Sequence, residues 1–137
     1  MDLQAVREEI TTVLKTITGL RAYSWAQPTV VPPAALLLWP EEIVYNGTYG
    51  RGMTSVPNLP LLVLVGKSSE RVASKRLGEY VSDVGAKSIP AKLENRAGLW
   101  VSCDVVTVTQ ATFQQAVVGA NEYLAVEFTL DIVGKGA

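Results

Sequence analysis

Residues 124–132 read Leu124-Ala125-Val126-Glu127-Phe128-Thr129-Leu130-Asp131-Ile132, with a large apolar side chain at every second position. Successive side chains of a strand leave on opposite faces. Leu124, Val126, Phe128, Leu130 and Ile132 therefore point into a core, while Tyr123, Ala125, Glu127, Thr129 and Asp131 point away from it. This is a strand with one covered face, so the rest of the chain must supply its neighbours and its cover.

Neighbouring strands are legible upstream. Leu61 to Val65 is continuously apolar between Pro60 and Gly66, the mark of a central strand covered on both sides. Ala34 to Trp39 is a shorter apolar run closed by Pro40, and Ile43, Val44 and Tyr45 begin another that ends near Asn46-Gly47. Residues 46–58 contain Gly47, Gly50, Gly52 and Pro57 with a single charge, Arg51, and read as a long mobile excursion. Over 98–109 the alternation is only partial, and Cys103, between Val101 and Val105, reads as a small buried hydrophobe in a strand. Residues 110–121 form either a further strand through Phe113 and Val117 or a connection through Gly119-Ala120-Asn121.

The cover comes from two amphipathic segments. Over 3–18, Leu3, Val6, Ile10, Val13, Leu14 and Ile17 recur at three- and four-residue steps, with Arg7, Glu8, Thr11 and Lys15 assigned to the wet side. Asp2 is placed to cap this helix and Gly19 to stop it. Threonines and β-branched residues are weak helix formers, so the segment needs packing to hold it. Over 69–84, Ala73, Leu77, Tyr80, Val81 and Val84 form a second stripe, opposite Arg71, Lys75, Glu79 and Ser82. Ser68 or Ser69 caps it, Glu70 suits its first turn, and Gly85 ends it. A helical turn at Ile89–Leu93 is capped by Ser88, with Pro90 tolerated early. Between the first helix and the first strand, residues 20–33 read as an extended arm broken by Pro28, Pro32 and Pro33, on which Tyr23 and Trp25 either clamp the arm to the core or reach a partner. The expected fold is α/β of the α+β type: one mostly antiparallel or mixed sheet with two main helices packed on one face, in a single domain spanning 1–137.

Composition narrows function by exclusion. The chain has 137 residues, 48% of them apolar, and a net charge of −1, which gives no whole-molecule attraction to nucleic acid or membrane. With no histidine and one cysteine, an intrachain disulfide, a histidine-activated nucleophile and the familiar zinc spacings are all out of reach. Neither a secretory signal nor a run of ~18 apolar residues is expected. The Gly47, Gly50, Gly52 spacing matches no phosphate-binding fingerprint. Glu41 and Glu42 point to opposite faces, Glu8 and Glu9 read as helix-surface solvation, and Glu127 and Asp131 lie about 13 Å apart along one strand face, too far for a paired acid and base. No enzyme, cofactor or metal site is expected. Lys67, Arg71, Lys75, Arg76, Lys87, Lys92 and Arg96 are not interleaved with stacking aromatics and are diluted by Glu70, Glu79 and Asp83, so sequence-specific nucleic-acid binding is not expected either.

Charge is nonetheless unevenly distributed. Residues 67–97 hold seven basic and four acidic side chains, a local +3, and residues 98–137 hold one basic and four acidic, a local −3. Regions of opposite sign either meet across a contact between copies or simply lie on different faces. Arg71, Lys75 and Arg76 lead the basic side, and Glu122, Glu127 and Asp131 are the acidic candidates. Trp25, Tyr49 and Arg51 complete the interface candidates on the arm and the excursion.

The layout resembles the tail terminator, or tail-completion, proteins of long-tailed, non-contractile bacteriophages. The resemblance rests on the leading amphipathic helix, then Gly19-Leu20-Arg21-Ala22-Tyr23, Pro32-Pro33-Ala34-Ala35 before the first strand, and the glycine-rich Tyr45 to Gly52. It continues through a basic helix running into Tyr80, Gly85, Ser88 and Ile89, then Ala91-Lys92-Leu93-Glu94, and a closing strand pair. It implies a virion protein without catalytic residues. Such a protein forms a ring, commonly a hexamer, that ends the tail tube at the head-proximal end. Its partners would be further copies of itself, the tail tube protein and a head–tail connector, with genomic DNA passing through the lumen without sequence-specific contact. A head–tail connector or completion protein, and a nonviral oligomerising adaptor domain, remain alternative readings of the same layout.

Overall fold

The computed structural model describes residues 2–24, 32–45, 53–67, 71–94, 99–118 and 121–135. Its elements in chain order are α1 (Leu3–Leu14), β1 (Arg21–Tyr23), β2 (Ala34–Leu37), β3 (Met53–Lys67), α2 (Arg71–Val81), α3 (Ile89–Glu94), β4 (Val105–Val118) and β5 (Asn121–Lys135). The strands form one five-stranded sheet in the order β1-β2-β3-β5-β4. β1 runs parallel to β2 and every other pairing is antiparallel, so the sheet is mixed, with helices packed alongside it.

β5 is the strand on which the sheet is organised. Val126, Phe128, Leu130 and Ile132 are fully buried, as their alternation predicts. They join Leu61, Val63 and Val65 of β3, Ala35 and Leu37 of β2, and Val106 of β4 in one core under the helices. On the other face Leu64 of β3 lies in register between Ala34 and Ala125, and all three are buried. The central run Leu61 to Val65 is thus nearly enclosed, as its unbroken apolar character requires.

Three extra residues disturb the ladders, and none belongs to β5. β3 gains one between Val56 and Leu59 and another between Leu64 and Gly66, and β4 gains one between Val108 and Gln110. Each is a β-bulge, which sharpens local twist and moves the following side chains to the opposite face. At the first, Asn58 takes a positive φ of 57° and its N–H donates to Asp131 Oδ1 at 3.1 Å. At the third, the Thr109 hydroxyl donates to the Thr129 carbonyl at 3.1 Å.

The helices follow the sequence with corrections at their ends. Asp2 caps α1 by accepting from the N–H groups of Gln4 and Ala5. α1 closes at Leu14 rather than near 18, because Thr16 and Ile17 donate three residues back and tighten the turn. Ile17 is still buried, and Gly19, at a φ of +83°, supplies the left-handed turn into β1. Arg7 and Thr11 are not on a wet side: they are 2% and 5% exposed. α2 covers 71–81 of the expected 69–84, and Ser68, Ser69 and Glu70 lie outside the described residues. Ala73 and Tyr80 are buried with Leu77 and Val81 beside them, but Val84 is 70% exposed because the helix has ended before it. Ser88 caps α3 as expected, its hydroxyl oxygen accepting from the Ala91 N–H at 3.1 Å.

Three readings between the helices change. Arg21–Tyr23, inside the expected arm, is an edge strand paired with β2. Ile43 to Tyr45 contributes a single bridge, Val44 to Ser55, and not a strand. Residues 53–58 of the expected mobile excursion belong to β3, where Val56 is fully buried, while 46–52 lie outside the described residues. Of the two readings open for residues 110–121, the strand is the one found, within Val105–Val118.

Candidate interaction surfaces

The helix layer carries the basic candidates. Arg71 and Lys75 are one turn apart on α2 and exposed. Arg76 is half-buried and turned towards the sheet, where it rims a hollow of about 150 Å³ with Lys67, Gly66 and Tyr123. Burial raises the pKa of the neighbouring Tyr80 hydroxyl, an effect that the Arg76 charge opposes and the Glu79 charge reinforces. Lys87 meets Glu79 at 3.4 Å, but both side chains are substantially exposed, so the pair contributes little to stability. The C-terminal part of α2 and the segment after it border an open groove of about 510 Å³, lined by Lys75, Gly78, Glu79, Ser82, Val84 and Lys87. Its polar side chains are those of Lys75, Glu79, Ser82 and Lys87.

The acidic candidates do not form one group. Paired residues on neighbouring strands share a face, so Glu122, opposite Val117, lies on the row of Leu124 and Val126. Glu127 and Asp131 lie on the other face. Both also have work within the chain: Gln114 donates to Glu127 Oε2 at 2.8 Å, and Asp131 holds the Asn58 bulge. Trp25, Tyr49 and Arg51 lie outside the described residues.

Three polar contacts were not anticipated from the sequence. Glu9, expected to be solvated, accepts from the Val101 N–H at 3.0 Å and the Ser102 N–H at 2.9 Å, and from the Ser102 hydroxyl, joining α1 to the segment before β4. The Arg7 guanidinium donates to the Leu37 carbonyl at 2.7 Å and to Gln4 Oε1 at 3.0 Å, and its Cζ lies 3.8 Å from the centre of the Trp39 ring. Its Nε has no hydrogen-bond partner among the described residues, and desolvation lowers the pKa of the guanidinium. A signal for Arg7 was present: positions 3, 7, 10 and 14 fall on one side of a helix, so it lies inside the apolar stripe. Glu94 of α3 accepts from the Val108 N–H of β4 at 2.9 Å, and nothing in the spacing of these residues announces it.

Cys103 is buried at 5% exposure, as expected, although it precedes β4 and Val101 beside it is 93% exposed. Burial, then the charges of Glu9 and Asp104, push its thiol up to about 12. A free thiol titrates near 8.5, so the unfolded chain releases this proton first. Stability is therefore expected to fall as pH rises from about 8.5 towards 12. Urea titrations of the wild type and Cys103→Ala across that range should show a steeper alkaline loss in the wild type. The native thiol should also resist iodoacetamide at pH 8 until denaturant is added.

Among the described residues no group of three or more His, Cys, Asp or Glu side chains could hold a metal ion, and no helix is long and apolar enough to cross a membrane. No family model matches the chain, and no curated protein is significantly similar to it. The surfaces themselves are therefore the material for a functional reading.

Proposed function

We propose that this protein is a structural subunit of a bacteriophage tail, a terminator that closes the head-proximal end of a long non-contractile tail tube as a homo-oligomeric ring. The family reading comes from the resemblance of layout; the observation that supports the ring is the placement of charge. Arg71 and Lys75 stand on the helix layer, while Glu127 and Asp131 stand on the sheet face away from it. A surface that complements the back of its own molecule makes heterologous contacts between copies. Such contacts either run on as a filament or close as a ring, and a terminator needs closure, because an open end would continue to grow. The ring would meet the tube protein on one side and a connector on the other, with DNA passing through its lumen.

Charge reversal tests the contact. Arg71→Glu and Lys75→Glu, both at exposed positions, are expected to lower the mass of the ring assembled with tube protein in light scattering, while the thermal midpoint of the subunit stays near the wild-type value. Salt should weaken the ring only partly, because exposed pairs are screened within about 10 Å at 0.1 M while apolar contacts persist. A ring indifferent to both reversals removes the electrostatic contact. A protein that remains a single copy at high concentration and does not bind tube ends removes the terminator reading.

A further inference from the structure

β4 is an edge strand of 14 residues, and Val105 to Val118 contains no charged residue, no proline and no glycine. Edge strands present a row of unpaired N–H and C=O groups, and proteins ordinarily blunt them with charges, proline, bulges or a covering element. Here the two halves of the strand differ. Near the body of the domain the edge is managed: the bulge lies between Val108 and Gln110, and Glu94 takes the Val108 N–H. Beyond it, residues 109–115 and Val117 are all exposed, and no described residue covers this part of the edge. Phe113 and Val117 stand on the helix-side face, in register with Val126 and Glu122, but they lie past the helices and are 61% and 72% exposed.

We infer that the outer edge of β4, residues 110–118, is a strand-addition site that takes the same segment of a second copy of this chain, antiparallel and about a two-fold axis. Three observations select that occupant. The first is length: the opposite edge of the sheet is β1, only three residues long, so among the described strands the free edge that matches β4 is β4 itself. The second is charge. Two-fold pairing sets a segment against its own reverse, where a charge near the axis would lie close to its own sign, and this segment has none. The third is the exposed pair Phe113 and Val117: two-fold pairing keeps residues of one face together, so these side chains gain apolar neighbours from the second copy. Pairing also ends itself. It uses the long edge of both copies and leaves outward only the two short β1 edges, which favours a closed dimer over continued growth. A ring with unlike tube and head sides contains no two-fold axis of this kind. The pair is therefore a state of the free subunit, separate from the face-to-back contact proposed above.

Two measurements on the full chain test this. Light scattering of the wild type alone, without tube protein, is expected to give the mass of two copies, and Phe113→Lys, which replaces an exposed apolar contact with a charge on both paired edges, the mass of one, with an unchanged circular dichroism spectrum and melting midpoint. Single cysteines placed in turn at 110–116, with the buried Cys103 retained, are expected to give disulfide-linked dimers at one position or two adjacent ones. Only the residue nearest the axis faces its own copy, and positions to either side diverge. A wild type that is one copy at every concentration overturns the proposal, as does cross-linking that is absent or uniform across the scan. A larger ring whose mass ignores Phe113→Lys but falls with Arg71→Glu overturns it while leaving the ring reading intact.

Discussion

Phe128→Ala is expected to destabilise the protein by about 3–5 kcal/mol, the usual loss for a large aromatic removed from a closed core. Phe128 is fully buried on β5, with Leu61 of β3 on one side and Ala111 of β4 on the other. The backbone there is held by ladders on both flanks, so the sheet cannot collapse into the space the ring leaves. Domains of this size have a total stability of roughly 5–15 kcal/mol, so this one change removes about a fifth of it or more. At about 3 °C per kcal/mol the thermal midpoint should drop by roughly 10–15 °C. Phe113→Ala is the internal control. Phe113 stands on the same face of the adjacent strand but is 61% exposed, and its truncation should change the stability of the isolated subunit by no more than about 0.5 kcal/mol. Equal midpoints for the two variants would mean that Phe128 is not in the core.

Ile10→Ala has the second-largest expected effect, a loss of about 2–4 kcal/mol by urea denaturation. Two terms oppose each other. Alanine is the better helix former by at most ~0.7 kcal/mol, which favours the variant. Ile10, however, is fully buried in the core that α1 shares with the sheet and α3, and the cavity term outweighs the propensity gain several-fold. α1 owes its place to this packing, because its threonines direct their hydroxyls back to helix carbonyls: Thr11 and Thr12 both donate to Glu8 O. An unchanged urea midpoint would show that this face of α1 is free in the isolated subunit.

What could be read directly were the elements whose side-chain period is unbroken. β5 receives no extra residue, so its alternation survives in the sequence and predicts its buried face residue by residue. α1 and α2 were legible from their stripes, and Asp2 and Ser88 from their capping chemistry. β3 and β4 were read only in part for one shared reason. Val56 and then Leu59, Leu61, Val63 and Val65 all reach the core, but the bulge residue changes which positions do so. The same change separates Val106 and Val108 from Phe113 and Val117. A period-two pattern that shifts phase resembles a loop until the partner strand is known.

The sequence by itself determined the class of fold, the sheet face that becomes core, the caps, and the absence of histidine chemistry. It also determined that 105–118 would carry no charge. Only the tertiary structure decided that this uncharged segment is an edge and not a centre, since strand order depends on which ladders close over a common core. It decided that Glu122 parts from Glu127 and Asp131, because face follows from register. It also turned Arg7 and Glu9 from surface charges into fixed contacts, with Leu37 and Trp39 in one case and Val101 and Ser102 in the other. Those partners lie roughly 30 and 90 residues along the chain, beyond the reach of any local period.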